Sequence, residues 1–160
     1  MSSFTAFSSA ASIVYAREAS QALGKDYWAV NDGFNFYIES PDSDKWVHVP
    51  KGFLTDGASV PRVVWGLIPP WGIYGQAAIL HDYLCEYLSI TFLGKPHPIT
   101  RVQADSYFND ALIVLKVPEA TRKTLYAAVS AYREITGVNK PSNVAAKREQ
   151  EALWYQRYAL

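Results

Sequence analysis

The sequence predicts an α+β fold, with a small antiparallel sheet at the front of the chain packed against a helical layer of three to four helices. Three observations predict it. Between Tyr27 and Ser59, short aromatic and aliphatic runs are separated by turn-forming clusters. Beyond Pro61 the apolar residues recur at helical rather than strand spacing. A chain of 160 residues that is 49% hydrophobic is long enough to bury one core without disulfides.

In chain order, residues 1 to 24 read as a small-residue helix ending at Gly24, with Ile13, Ala16, Ala19 or Ser20, and Leu23 at helical spacing. Strands are expected at Tyr27-Trp-Ala-Val, Phe34-Asn-Phe-Tyr-Ile and Trp46-Val-His-Val, bounded by Asn31-Asp32-Gly33, Pro41-Asp-Ser-Asp and Pro50-Lys-Gly. Asn31-Asp32-Gly33 supplies residues that tolerate positive φ, as a tight turn requires. Helices follow at Ala77 to Leu88, then from Thr100, where Gln103 completes a capping box, along the stripe Ala104, Phe108, Ala111, Leu112 and Leu115. A third opens at Pro118 and is carried by Leu125, Val129, Tyr132 and Ile135 to a stop at Gly137. A last helix runs from Ala145 to about Leu160. The organisation is an N-terminal extension (1–24), a central α+β domain (25–137) and a C-terminal helical extension (138–160), with residues 138 to 145 as a short linker.

Fifteen Lys and Arg balance fifteen Asp and Glu, so there is no basic excess to draw the chain to nucleic acid, and no direct nucleic-acid recognition is expected. Cys85 is the single cysteine, which excludes an internal disulfide. No apolar run approaches the roughly 18 residues of a membrane span, and the small, polar N-terminus lacks the charge of a signal peptide. Neither a membrane span nor a secretory signal peptide is therefore expected. Aromatic residues make up 14% of the chain. Those at its two ends, Phe4 and Phe7, then Trp154, Tyr155 and Tyr158, read as docking anchors for a partner.

Two stretches carry candidate chemistry. His81 lies on the buried side of its helix, with Asp82 rotated towards Ala78 and Glu86, while Asp105 flanks the buried face of the next helix. If the helices pack antiparallel, His81 and Asp105 meet. The pair is then either a general-base dyad, in which the carboxylate fixes the imidazole tautomer, or two buried polar groups that satisfy each other. Asp82, with Glu86, is placed to hold a hard cation such as calcium. In Thr55-Asp56-Gly57-Ala58-Ser59, Asp56 and Ser59 are either helix caps, with Arg62 answering Asp56, or contacts to a cation or substrate. His48 in a strand and His97 between prolines read as surface or packing residues.

These residues lie in motifs that resemble those of a phage and prophage family, domain of unknown function 1353. The pattern V-P-x-G-F-x-T-D-x-A-S-[IV]-P-R stands at Val49 to Arg62, followed by Trp65 and by P-P-x-G-x-Y at Pro69 to Tyr74. A-A-x-x-H-D-Y-L follows at Ala77 to Leu84, R-x-x-A-D-x-x-F at Arg101 to Phe108, and Y-x-A-V at Tyr126 to Val129. The resemblance covers roughly residues 27 to 137 and implies a phage or prophage origin. The His-Asp helix followed by the Ala-Asp-x-x-Phe helix is also similar, more loosely, to the paired helices of A2-type phospholipases. That likeness implies His81 as base, Asp82 as calcium ligand and Asp105 as the group orienting His81. In those enzymes the glycine-rich calcium loop lies well upstream of the His, whereas here Trp71 to Gly75 stands only six to ten residues before it.

The expected function is therefore a phage or prophage virion component, in the tail or neck, whose partners are other structural proteins or copies of itself. The alternatives are a metal-assisted hydrolase of lipid or cell-wall substrates, touching the envelope transiently, and a host-directed inhibitor made during infection.

Overall fold

The computed structural model describes residues 7–40, 42–57 and 72–159. Among these the fold is α+β, with two antiparallel sheets and five helices. One sheet joins β1 (Ser12–Tyr15) to β2 (Trp28–Asp32) and β2 to β5 (Leu54–Thr55). The other has the order β3 (Phe34–Tyr37), β4 (Lys45–Val49), β6 (Ser89–Phe92), β7 (Lys95–Pro98). The helices are α1 (Arg17–Leu23), α2 (Gly75–Tyr87), α3 (Arg101–Val114), α4 (Glu119–Thr136) and α5 (Ala145–Tyr158).

Period-two alternation builds the larger sheet: Phe34 faces Val49 and Phe36 faces Val47 across β3 and β4, and all four side chains are buried. Helix α2 crosses behind them with residues 75 to 81 buried without a break, so it is a central helix rather than a surface one. On its far side it packs against α3, and α3 against α4. The expected helix starts and stops hold: Thr100 and Gln103 form the capping box of α3, and Gly24 and Gly137 close α1 and α4 in the left-handed conformation.

Four expectations need correction. Ile13 is not helical: β1 pairs with β2, and among the described residues of that segment only 17 to 23 form a helix, because an otherwise bare strand edge takes residues 12 to 15. Asn31-Asp32-Gly33 is not a hairpin turn. β2 and β3 lie in different sheets, and Gly33 is needed for close approach, since a Cβ there would stand 3.0 Å from the His48 ring and 3.1 Å from the Val49 carbonyl oxygen. A hairpin, β6–β7, lies between α2 and α3 where no strands were expected; Leu93 and Gly94 both take positive φ in its two-residue turn. In α4, Leu125 and Val129 are buried, but Tyr132 and Ile135 are exposed, so its buried stripe ends a turn early.

The terminal segments are built into the domain. Phe7 bridges to Phe36, and its ring packs at 4.7 Å from that of Phe36, 3% exposed. Trp154 is 6% exposed in a second apolar cluster with Ala16, Ala19, Tyr27, Ala29 and Leu54. Both therefore serve the protein's own cores rather than a partner, while Tyr155 and Tyr158 remain exposed and Phe4 lies outside the described residues. The expected linker is anchored at Ser142, whose amide and hydroxyl both donate to the Cys85 carbonyl at the end of α2.

Candidate functional site

Helix α2 presents ionisable groups on two faces. On the face towards α3, His81 Nε2 and Asp105 Oδ1 are 2.6 Å apart, the meeting expected of antiparallel neighbours. The other carboxylate oxygen of Asp105 lies 3.2 Å from Arg133 Nη1 on α4, close enough for an ion pair but too poorly angled for a hydrogen bond. His81 is 3% exposed and Asp105 0%, with the Phe108 ring 4.7 Å from the imidazole. Burial alone would push the His81 imidazolium towards losing its proton, but the Cys85 sulfur and the Asp105 carboxylate outweigh it and hold the pKa up at about 9. At neutral pH His81 is thus a cation held beside an anion. A group already protonated has no lone pair to offer water, so this geometry works against a general base.

An imidazole nitrogen of His81, Cys85 Sγ and an Asp105 oxygen all lie within 4.8 Å of one another, a buried set of three donor atoms from α2 and α3. The same Asp105 carboxylate already faces Arg133, so a cation there would share it with a guanidinium.

The other face meets β5 and α5. Glu86 takes the ammonium of Lys147 on one oxygen and the guanidinium of Arg148 on the other, and Arg148 also donates to the Tyr87 hydroxyl and pairs with Glu151 at 2.7 Å. Glu151 in turn accepts the amide N–H of Leu54 at 2.8 Å, joining α5 to β5. The Lys147 ammonium stands 4.5 Å over the Phe53 ring, and its pKa is raised because Asp82 and Glu86 outweigh its desolvation. Asp82 lies in this cluster: Thr55 hydrogen-bonds to it, yet among the described residues its buried Oδ2 has no hydrogen-bond partner. Burial pushes its pKa up to about 6, with Asp56 and Glu86 adding to the rise and Lys147 opposing it.

The structure therefore brings His81 and Asp105 together in one network and Asp82 and Glu86 in another, with Asp56 electrostatically coupled to the second. Asp56 pairs with Lys25. Ser59 and Arg62, the expected cap and partner of Asp56, lie outside the described residues. For the expected calcium ligands the finding is a cation already in place, Lys147, among the carboxylates of Asp82 and Glu86. Sequence reasoning missed Arg133, Lys147 and Arg148. Lys147 and Arg148 reach Glu86 across about sixty residues of chain, beyond any local pattern.

A family model, that of a protein of unknown function (DUF1353), matches residues 24–129, two thirds of the chain. The chain belongs to the DUF1353 family. The matched span contains His81, Asp82, Glu86 and Asp105, whereas Arg133, Lys147 and Arg148 fall beyond it. This DUF1353 chain is also similar to an uncharacterized protein, y4jT, of Sinorhizobium fredii (strain NBRC 101917 / NGR234), 35% identical over 100 residues. The match takes in 61% of the present chain and 27% of that protein. No solved structure matches. Among the described residues of this DUF1353 chain, no helix is long and apolar enough to cross a membrane.

Proposed function

We propose that this DUF1353 chain is a component of a phage or prophage particle, in the tail or neck, and that its His81–Asp105 pair holds the domain together rather than performing hydrolysis. One observation carries the second half of the reading: the Asp105 carboxylate is fully buried between the His81 imidazolium and the Arg133 guanidinium. A carboxylate so enclosed is a strut between α2, α3 and α4, and the imidazole it holds is protonated at neutral pH. The phage assignment draws on the motif resemblance. Partners are other structural proteins or further copies of the chain, and the exposed rings of Tyr155 and Tyr158 are the surface offered to them.

The test has two arms. Particles induced from a host that encodes the chain are purified and their proteins identified by mass spectrometry; finding the full-length chain supports the reading, and finding particles without it defeats it. In parallel, His81→Ala is expected to lower the melting temperature markedly, with wild-type protein inactive on phospholipid and peptidoglycan.

A hydrolase is a second reading, favoured by Asp82. A carboxyl group titrating near neutrality with one unpaired oxygen is suited to general acid–base work, with Asp56 as its companion. On this reading Asp82→Asn, rather than His81→Ala, abolishes turnover while the fold survives.

A further inference from the structure

We propose that the cleft at the start of α3 binds a phosphate group of a small phosphorylated molecule, held by Arg101, Arg133 and the first amides of the helix. The cleft has a volume of about 410 Å³ and is lined, among the described residues, by Thr100, Arg101, Val102, Arg133, Glu134 and Asn139, among others. It adjoins the first ion network, because Arg133, which lines it, also pairs with Asp105.

The observation that points to a ligand is Arg101. It is 8% exposed, its Nε is buried without a hydrogen-bond partner, and among the described residues no carboxylate pairs with it. A buried charge without a counter-charge is costly enough that it is retained only where something supplies one. Asp105, one turn along α3, is already committed to His81 and Arg133. Arg101 and Arg133 both line this cleft, and Glu134, the single acid of its lining among the described residues, is exposed and 3.9 Å from Arg133 Nη2.

The backbone adds to this. The capping box directs Thr100 Oγ1 to the Gln103 amide, which leaves the Arg101 and Val102 amides at the open end of a fourteen-residue helix whose first two residues line the cleft. Backbone N–H groups at the positive end of a helix dipole, flanked by two planar guanidinium forks, match the oxygens of a phosphate group in both charge and geometry. The cleft is larger than a bare phosphate ion needs, so the phosphate is taken as one end of a small molecule.

The experiment is a melting series in inorganic phosphate, in glycerol phosphate and in chloride at matched ionic strength, on wild type and Arg101→Met. In chloride, Arg101→Met is expected to melt at or above the wild-type temperature, because it removes a buried unpaired charge and keeps the stem. Saturating phosphate is expected to raise the wild-type midpoint by about 5 °C and to leave Arg101→Met unmoved. Titration of phosphate into wild-type protein, followed by the Arg101 Nε–H resonance, reads the same contact without a variant. Vesicles of phosphatidylglycerol and a short single-stranded oligonucleotide form the remaining arms. An Arg101-dependent response to vesicles assigns the same phosphate chemistry to a lipid headgroup. A response to the oligonucleotide alone overturns the small-molecule site. Equal responses of wild type and Arg101→Met to phosphate, or an unmoved Nε–H resonance, overturn the proposal.

Discussion

The two charged networks on α2 have opposite compositions. Towards α3 and α4 one carboxylate, Asp105, lies between two cations, His81 and Arg133. Towards α5 three carboxylates, Asp82, Glu86 and Glu151, surround two cations, Lys147 and Arg148. The first is short of anions and the second of cations, so removing a carboxylate acts in opposite directions in the two places. In the first it strands a buried imidazolium and a half-buried guanidinium. In the second it relieves an acid that burial already makes reluctant to ionise.

The largest expected effect breaks the first network. Asp105→Ala leaves the buried His81 imidazolium without its counter-charge and Arg133 with only the exposed Glu134, 3.9 Å away, and is expected to cost about 4 kcal/mol in urea unfolding. A loss below about 1 kcal/mol would show that the pair is not the strut described here.

The same network has a pH signature. The His81 pKa is raised from 6.5 to about 9 by folding, so its contribution is fully present below pH 6.5 and lost as pH rises through 9. The wild type is expected to lose about 3 kcal/mol across that window. His81→Gln, which cannot take up the proton, is expected to be less stable at pH 6 and nearly flat above it. A wild-type curve without slope between pH 6.5 and 9 contradicts the protonated imidazole.

The second network ties α5 to the body of the domain, beyond the span matched by the family. Trp154→Ala empties the smaller apolar cluster beside it and is expected to cost about 3 kcal/mol. If α5 were a detachable arm, the same change would leave the denaturation midpoint where it was.

Neutralising an acid there sharpens the contrast. Asp82 has its pKa raised from 3.8 to about 6, so its contribution is present below pH 3.8 and lost as pH rises through 6. Asp82→Asn is expected to stabilise the protein by about 2 kcal/mol at pH 7 and to leave it unchanged near pH 3.5. A destabilised Asp82→Asn at pH 7 would mean that Lys147 depends on the Asp82 charge more than burial opposes it.

What could be read in advance follows the range of each interaction. His81 and Asp105 were legible because each flanks an apolar helical stripe, and stripes on successive helices turn towards one another. The capping box at Thr100 and the stop at Gly137 are local chemistry. The hairpin β6–β7 was hidden by Pro96 and Pro98, which argue against a strand except at the edge of a sheet, where β7 lies. β1 was hidden because its small-residue surroundings suit a helix, and only the strand lying across it decides. Glu86 read as a cation ligand because Lys147 and Arg148, its counter-charges, arrive from the other end of the chain.

The smallest effect separates the buried part of the second network from its exposed end. At the tip of α5, Tyr158 donates to Glu18 Oε1 at 2.9 Å and Arg157 Nη1 lies 3.1 Å from the same oxygen, on an open surface where water and salt compete for every charge. Tyr158→Phe removes the hydroxyl and keeps the ring that packs 5.4 Å from Trp154. Its urea midpoint is expected to match the wild type, with and without added salt. A clear loss at low salt alone would place part of the hold on α5 at this exposed contact rather than at Lys147, Arg148 and Trp154. The unchanged midpoint, set beside the large loss from Trp154→Ala, would place that hold in the buried half of the helix.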